Sequence, residues 1–529
     1  MTIHFLDLPS EILVLILYYL DLPSLIACLA TNRRVKSIID GSSFLQYRMA
    51  AQAACVEDNP CGDTTMTSAQ RLVALQKRQR AFAELLPSSI RTIPVDNASD
   101  ILSTFYMLSG GIFAYRDSSM KALRWISLSS NERQSPVWQR LELDEYILVF
   151  QLAVPEENLL VVVSSYVAIS QFINTSVSLN PSTVPLHANT ASDAIIKLRL
   201  YEMSTRSAHP AAQEPVMNVP IAGTDWTLLV TCRLLVYDWK LGRLQMVWSQ
   251  FIFGVLFLSK RLHKDLDDHY SAAVFLSTEV ILLARAVTGS LELWNLEDGN
   301  EPKVVLKLPH IPDHCEYHVN RVESNPKGSH ASASRLPFHS SFIDSLVVLQ
   351  VLLITNQIGT TRQDMFLVIP RHALLQQIPS SELCGKERLW VDWGPPVSRW
   401  LSDYYTFDWP TIICGQRCVF RTFDGSMLLL DFNPYAHKRF LLEQAEVKHD
   451  DGGRVDDRSV FLGAFMGVAL DIPNEEEMLS ASSRLGYVAK KPGVAINWDG
   501  VMMDEEWIVG IKNTTESDGK FSLEVWHLG

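Results

Sequence analysis

Cysteine is scarce in this sequence, which limits the part that disulfides can play in its fold. The chain has 8 cysteines among 529 residues, and they are scattered along it. The N-terminal segment carries Asp7 and Glu11 and no basic region ahead of a short apolar run, so it does not resemble a secretory signal peptide. We therefore expect reduced thiols packed as small apolar groups, in a protein that is cytoplasmic and/or nuclear and not secreted.

Long apolar segments and an excess of basic charge are missing as well. Runs such as 345–355 and 251–258 fall far short of the roughly 20 residues that a membrane-spanning helix needs, so they are predicted to be buried strands. A net charge of −13 and a pI near 5.6 disfavour nucleic acid as the main ligand, because phosphate binding needs a concentrated basic surface. Neither a membrane nor a nucleic acid is predicted as a partner.

The motifs of common catalytic sites are also absent. The sequence contains no G-x-S-x-G nucleophile motif and no phosphate-binding loop. Acidic clusters such as 450–457 and 504–506 are typical of solvated loops, since glycosidic hydrolysis needs two carboxylates that face each other across a cleft. The segment 310–318 offers residue types that bind zinc but lacks a matching ligand pair nearby, namely His310, His314, Cys315 and His318. We predict no cofactor, no metal site and no catalytic residue.

The N-terminus does contain a series of short amphipathic helices. Pro9 stands where a first helical turn can spare its missing N–H, and apolar residues follow at helical spacing. Pro23 repeats this start signal after Asp21, and a third short helix is predicted around Val35 and Ile39. So small a domain cannot bury its apolar stripes on itself alone. Another surface must cover them.

The segment 5–39 resembles an F-box in its Leu-Pro opening, its helical apolar spacing and its closing basic and apolar run. In F-box proteins these positions dock on a Skp-type adaptor, which bridges to a cullin scaffold. One departure is Val35 after Arg33 and Arg34, where the family often has Trp, and loss of an aromatic anchor weakens the expected docking. The resemblance places an F-box domain at 1–48 and assigns adaptor contacts to Leu8, Pro9, Glu11, Ile12, Ile16, Leu20, Leu25 and Cys28.

A helical linker is predicted over 49–89, and the pattern then changes to short β-rich runs separated by turn clusters. The recurring unit is a strand, a tight turn and a second strand. Examples of the second strand are the runs 123–128, 291–296 and 523–528. The spacing over 90–529 resembles a degenerate WD-repeat β-propeller of six to eight blades, although a solenoid or paired β-sandwiches have the same local pattern. Polar insertions are predicted as surface loops at 174–193, 208–220, 310–341 and 447–458.

Aromatic residues are concentrated between residues 390 and 409. Packing between neighbouring blades is the simpler interpretation of this cluster. Aromatic side chains are also frequent anchors of interfaces, so the alternative hypothesis is that Trp393, Trp400 and Tyr404 line a pocket for a captured protein.

These features predict an α+β multidomain protein: a small three-helix F-box, a helical linker and a large all-β domain. The resemblance implies the non-catalytic substrate-recognition subunit of a Skp–cullin–F-box ubiquitin ligase, with adaptor, cullin and a protein substrate as partners. One alternative is a non-catalytic propeller scaffold whose F-box serves a role other than ubiquitin transfer, or docks on its own propeller. Another is a propeller hydrolase whose acidic loops at 450–457 meet at the central channel.

Overall fold

The fold was determined as a computed structural model. It describes residues 7–60, 62, 65–95, 106–128, 137–165, 194–208, 216–219, 234–238, 243–248, 270–285, 289–296, 301–311, 315–326, 336–355, 361–379, 385–401, 405–406, 412–422, 426–450, 483–493, 496, 498–514 and 520–529. No helix in these ranges is both long and apolar enough to cross a membrane.

Four short helices open the chain: α1 (Ser10–Tyr18), α2 (Leu22–Thr31), α3 (Arg33–Gly41) and α4 (Ser43–Ala53). Polar side chains cap three of them. Asp21 accepts a hydrogen bond from the Ser24 N–H at 3.0 Å, and Asn32 and Ser42 cap α3 and α4 in the same way. Such caps satisfy backbone donors that have no partner inside the helix. Because α4 continues through the predicted boundary at residue 48, we define residues 7–53 as the helical module.

The linker contains the long helix α5 (Ser68–Glu84) and the short strand β1 (Val56–Asp58). Thr67 and Gln70 form the predicted capping box at the start of α5. β1 pairs antiparallel with β18 (Phe338–Ser340), which lies far along the chain. The linker thus contains a short strand beside its long helix. The prediction of one surface loop over 310–341 is wrong, because that segment contains β18 and β17 (Cys315–Ser324).

The all-β region is arranged as a six-blade propeller, which confirms the predicted fold class. We number the four- and five-stranded sheets as blades in chain order. Blade 1 contains β3 (Tyr106–Ser109), β4 (Ile112–Arg116), β5 (Ala122–Ser127) and β6 (Gln139–Glu142). Blade 2 contains β7 (Tyr146–Ala153), β8 (Leu159–Ser165), β9 (Ala194–Glu202) and β10 (Val216–Val219). A hairpin of β11 (Leu234–Asp238) and β12 (Arg243–Trp248) follows in the sequence.

The remaining blades have the same antiparallel order with small additions. Blade 3 contains β13 (Tyr270–Phe275), β14 (Val280–Arg285), β15 (Ser290–Asn295) and β16 (Val304–Lys307), with β21 (Lys386–Arg388) parallel to β16. Blade 4 contains β17, β19 (Leu346–Thr355), β20 (Thr361–Pro370) and β22 (Arg399–Leu401). Blade 5 contains β23 (Tyr405–Thr406), β24 (Ile413–Cys414), β25 (Arg417–Thr422), β26 (Met427–Asp431) and β27 (Val488–Lys490). Blade 6 contains β28 (Gly500–Met503), β29 (Trp507–Thr514), β30 (Lys520–His527) and β2 (Ser89–Val95).

Buried side chains join neighbouring blades, and β2 closes the ring. Blades 4, 5 and 6 share one apolar core, blades 6 and 1 share another, and blades 1 and 2 and blades 3 and 4 each share a further one. β2 pairs with β30 from Ser89 opposite His527 to Val95 opposite Phe521. The first and last strands of the ring therefore lie in one sheet. Helices α6 (Val154–Glu157), α7 (Arg371–Leu375), α8 (Trp390–Val397) and α9 (Pro434–Asp450) lie in the connections.

The recurring sequence runs lie on strands, and two of them share a local contact. The indole N–H of Trp294 donates to Glu292 at 2.9 Å in β15, and that of Trp526 donates to Glu524 at 2.9 Å in β30. Side chains two residues apart point to the same face of a strand, which brings each pair together. The Glu-x-Trp repeat is thus a structural feature of the blades.

Candidate docking surface on the N-terminal helices

The helical module has a small apolar core of its own. On α1, Leu13 and Leu17 are buried, and on α2, Leu25 is fully buried. Side chains from all four helices meet in this core, and its fully enclosed members are Leu17, Leu25, Val35, Ile39 and Leu45.

Another face of α1, continued by the capping residue Tyr19, exposes large apolar side chains. Ile12 is 43% exposed, Leu15 56%, Ile16 39% and Tyr19 82%. Their spacing of three and four residues puts them on one side of the helix. We call these four residues the docking stripe. Grouped apolar side chains on a protein surface are typical of binding sites for other proteins.

The structure separates the predicted adaptor contacts into two groups. Ile12 and Ile16 lie in the docking stripe, Pro9 and Glu11 are exposed at the start of α1, and Leu8, Leu20 and Cys28 are half-buried. Leu25 is different, because its side chain is enclosed in the core of the module. The prediction that Leu25 contacts the adaptor directly is therefore wrong. The sequence analysis did not single out Leu15 and Tyr19, whose place beside Ile12 and Ile16 on the exposed face follows from the helical spacing.

Aromatic and cationic contacts fix the C-terminal end of α1 against α4. The Tyr18 ring stacks on Phe44 with a centroid distance of 4.8 Å, and the Arg48 guanidinium lies 4.1 Å from the centre of the Tyr18 ring. Arg48 also donates to the Leu20 carbonyl at 3.4 Å. The C-terminal end of α1, next to the docking stripe, is therefore held by side chains of α4.

A second set of contacts joins α4 to the linker. The Tyr47 hydroxyl donates to Asp58 at 2.6 Å, and Arg71 of α5 donates to the same oxygen at 2.9 Å. Burial raises the pKa of Tyr47, so its hydroxyl keeps the proton that it donates. Tyr47 also packs with Val56, Leu75 and Phe338. This cluster joins α4, β1, α5 and β18.

Arg78 and Glu505 connect α5 to the propeller. The Arg78 guanidinium donates to Glu505 at 3.1 Å and lies 4.5 Å from the centre of the Phe338 ring. The other oxygen of Glu505 accepts the Ser340 backbone N–H at 2.7 Å. Because the Arg78 side chain is only 4% exposed, this ion pair is largely shielded from water.

Asn433 joins the end of α4 to the start of α9. Its side-chain oxygen accepts backbone N–H groups of Tyr435 and Ala436 at 2.9 and 3.0 Å, which caps α9. Its side-chain nitrogen donates to the Ala53 carbonyl at 2.9 Å. One buried amide thus serves two helix ends at the boundary between module and propeller.

These junction contacts lie at one end of the propeller ring. Connections in an antiparallel sheet alternate between its two ends. Connections that follow the first and the third strands of a blade therefore lie at the same end. Glu505 and β18 follow the first strands of blades 6 and 4, and Asn433 follows β26, which is third in blade 5 because β23 and β24 both pair with β25. We call this the linker end, and the other the free end.

The predicted substrate residues lie elsewhere. Trp393 and Trp400 are 1% and 8% exposed and belong to the core between blades 3 and 4. The Trp393 indole donates to the Lys307 carbonyl at 3.0 Å. These two side chains therefore pack between blades, as the simpler interpretation of the sequence has it, and the hypothesis that they line a pocket for a protein is wrong for them. Tyr404 lies outside the described residues.

The candidate zinc ligands are not brought together. Cys315 is buried in the core between blades 3 and 4, and His318, three positions along β17, projects from the other face of the strand. His310 is exposed and His314 lies outside the described residues. Within the part of the chain that the structure describes, no three His, Cys, Asp or Glu side chains are grouped to hold a metal ion.

Comparison with known proteins agrees with this geometry. Residues 5–50 match the family model described as F-box-like. No curated protein matches the chain. The chain thus has an F-box-like domain followed by a six-blade propeller.

Proposed function

We propose that this protein is the substrate-recognition subunit of a Skp–cullin–F-box ubiquitin ligase. The observation that carries the proposal is the docking stripe, which exposes four large apolar side chains on a domain that matches the F-box-like model. F-box domains generally bind Skp-type adaptors. The adaptor would cover the stripe, and the cullin would join through the adaptor.

The energetics favour a partner on the docking stripe. Complete burial of one large apolar side chain contributes about 1.5–3 kcal/mol, so several such side chains can anchor an interface. Within the module, the core is formed by other side chains, among them Leu17 and Leu25, and no residue of the stripe belongs to it. Its apolar surface is therefore available to a second polypeptide.

The propeller would hold the protein substrate at its free end. The linker end is occupied by α5, β1 and the start of α9, whereas the connections between second and third strands point the other way. A substrate on the free end would not compete with the helical module for space. The contacts that join the helical module and linker to the propeller would then keep adaptor and substrate at a fixed distance from each other. This raises the effective concentration of substrate near the transfer enzyme.

Catalysis in this scheme belongs to other subunits. An F-box followed by a propeller is an architecture typical of non-catalytic adaptor subunits. This chain would bind and position the substrate, and enzymes recruited through the cullin would transfer ubiquitin to it. The compartment that we propose is the cytoplasm and/or the nucleus.

Affinity capture of the full chain tests the proposal. The variant Pro9→Ala with Ile16→Asp should release the adaptor and the cullin, because it disturbs the start of α1 and places a charge in the apolar interface. Captured substrates should remain, since the propeller is unchanged. Val73→Asp is a matched control, because Val73 is 65% exposed on α5, outside the stripe. Adaptor that stays on the double variant would contradict the assignment.

A reconstituted transfer assay separates the proposal from a scaffold without a ligase role. The wild-type chain, adaptor, cullin and ubiquitin-charged transfer enzyme should modify a captured substrate, and the double variant should not. Adaptor binding without any transfer to captured proteins would favour the scaffold.

A further inference from the structure

The contacts that hold the linker fall on the C-terminal part of the chain. β1 pairs with residues 338–340, Arg78 pairs with Glu505, and Asn433 holds the end of α4. Phe82 and Leu85 are buried in the core that blades 4, 5 and 6 share. The helical module is therefore attached to blades that are synthesised last.

The helix that carries the module also leads directly into the strand that closes the ring. α5 ends at Glu84, the next residue Leu85 turns the chain with a φ of 48°, and β2 begins at Ser89. The Ser88 N–H donates to the His527 carbonyl at 2.7 Å, which starts the ladder between β2 and β30. Ile93 of β2 is 3% exposed, in the core of blades 6 and 1. Helix and closing strand are thus one continuous piece, residues 68–95.

The short strand β1 depends on the same piece. Its ladder with β18 has three residue pairs, and so short a two-stranded sheet is not stable by itself. Part of its support comes from α5, because Leu75 packs with Val56 and Phe338, and Arg78 covers the Phe338 ring. Release of α5 would therefore loosen β1 as well.

We propose that α5, β1 and β2 open and close as one unit, so that closing the propeller ring and fixing the helical module are a single event. We call these three elements the closure unit. The core of the module is a separate cluster of side chains from α1 to α4, and the module meets the closure unit where Tyr47 packs on Val56 and Leu75. A chain in which β2 has not yet paired with residues 520–527 then carries a formed docking stripe without a fixed position relative to the propeller.

Native-state hydrogen exchange on the wild-type full chain tests the proposal without mutation. Amides of α5, β1 and β2 should exchange through a shared opening, with equal protection and equal dependence on denaturant. The amide protection of α1 and α2 should depend on denaturant concentration in a different way. Opening of α5 at lower denaturant than β2 would contradict the proposal, since helix and strand would then be separate units.

A matched pair of variants gives a second test. Ile93→Asp places a charge in the core beneath β2, whereas Ile90→Asp changes the same strand where the side chain is 54% exposed. Ile93→Asp should speed exchange in α5 and β1 at least tenfold while blade 2 keeps its protection, and Ile90→Asp should leave all three unchanged. Faster exchange confined to β2 would overturn the proposal. If Ile93→Asp does not yield folded protein, the wild-type exchange pattern decides.

Discussion

At the residue scale, two neighbouring positions of α2 have opposite environments. Leu25 is fully buried in the core of the module, and Ile26 is 50% exposed. Leu25→Ala should lower the free energy of unfolding by about 2–5 kcal/mol, because it leaves a cavity. Ile26→Ala should change it by less than about 0.5 kcal/mol. Urea unfolding of both variants measures this, and equal losses would show that Leu25 is not a core residue.

Arg78 offers a similar contrast with Arg80 on the same helix. The Arg78 side chain is 4% exposed beside Glu505, and that of Arg80 is 77% exposed beside Glu84. Arg78→Ala leaves a carboxylate without its partner and should cost about 3–5 kcal/mol. Arg80→Ala should cost about 0–1 kcal/mol.

A double-mutant cycle checks the origin of the Arg78 effect. If the ion pair is responsible, Arg78→Ala with Glu505→Ala should lose less stability than the two single losses together. Additive losses would mean that Arg78 acts mainly through its contact with Phe338.

Asp504 should make stability depend on pH. Its side chain accepts backbone N–H groups of Gly111, Glu506 and Trp507, and burial nevertheless raises the pKa of this carboxyl from 3.8 to about 7. Since the folded pKa lies above the unfolded one, the contribution of Asp504 is fully present below pH 3.8 and is lost as pH rises through about 7. Unfolding free energies measured from pH 4 to 8 should show this decline, and Asp504→Asn should remove it. Identical pH profiles would contradict the shift.

At the element scale, the two roles of Asn433, at the end of α4 and at the start of α9, can be tested independently. Aspartate at this position still caps a helix N-terminus but cannot donate to the Ala53 carbonyl. Asn433→Asp should therefore keep the amide protection of α9 and weaken that of the α4 end, whereas Asn433→Ala should weaken both. Hydrogen exchange measures the two helices in one experiment. Loss of α9 protection in Asn433→Asp would contradict the capping role.

The elements that the sequence predicted well are those that depend on nearby residues. The capping box of Thr67 and Gln70 marks the start of α5, and the apolar spacing from Ile12 marks α1. β1 was missed because its partner is distant: Asn59, just after β1, bonds to Leu336, 277 residues further along the chain. A local pattern contains no information about such pairing.

At the scale of the whole molecule, the recurring strand pairs predicted a propeller, and the structure has six blades. The sequence could not fix the blade number, because polar insertions of different lengths interrupt the repeat. It also could not show which aromatic side chains face inward. Trp393 and Trp400 are of a residue type that often anchors interfaces, yet the packing of blade 3 on blade 4 encloses them. Exposure of Ile12 and Ile16 is likewise a property of the assembled module.

Titration of a purified Skp-type adaptor into the full chain measures whether the docking stripe binds a second polypeptide. Ile16→Asp should weaken binding by roughly 30-fold or more, the effect expected at an interface hot spot of about 2 kcal/mol. Leu442→Asp, at a side chain that is 59% exposed on α9, should leave the affinity unchanged. An adaptor that binds wild type and Ile16→Asp equally, or binds neither, would show that the docking stripe is not the adaptor site.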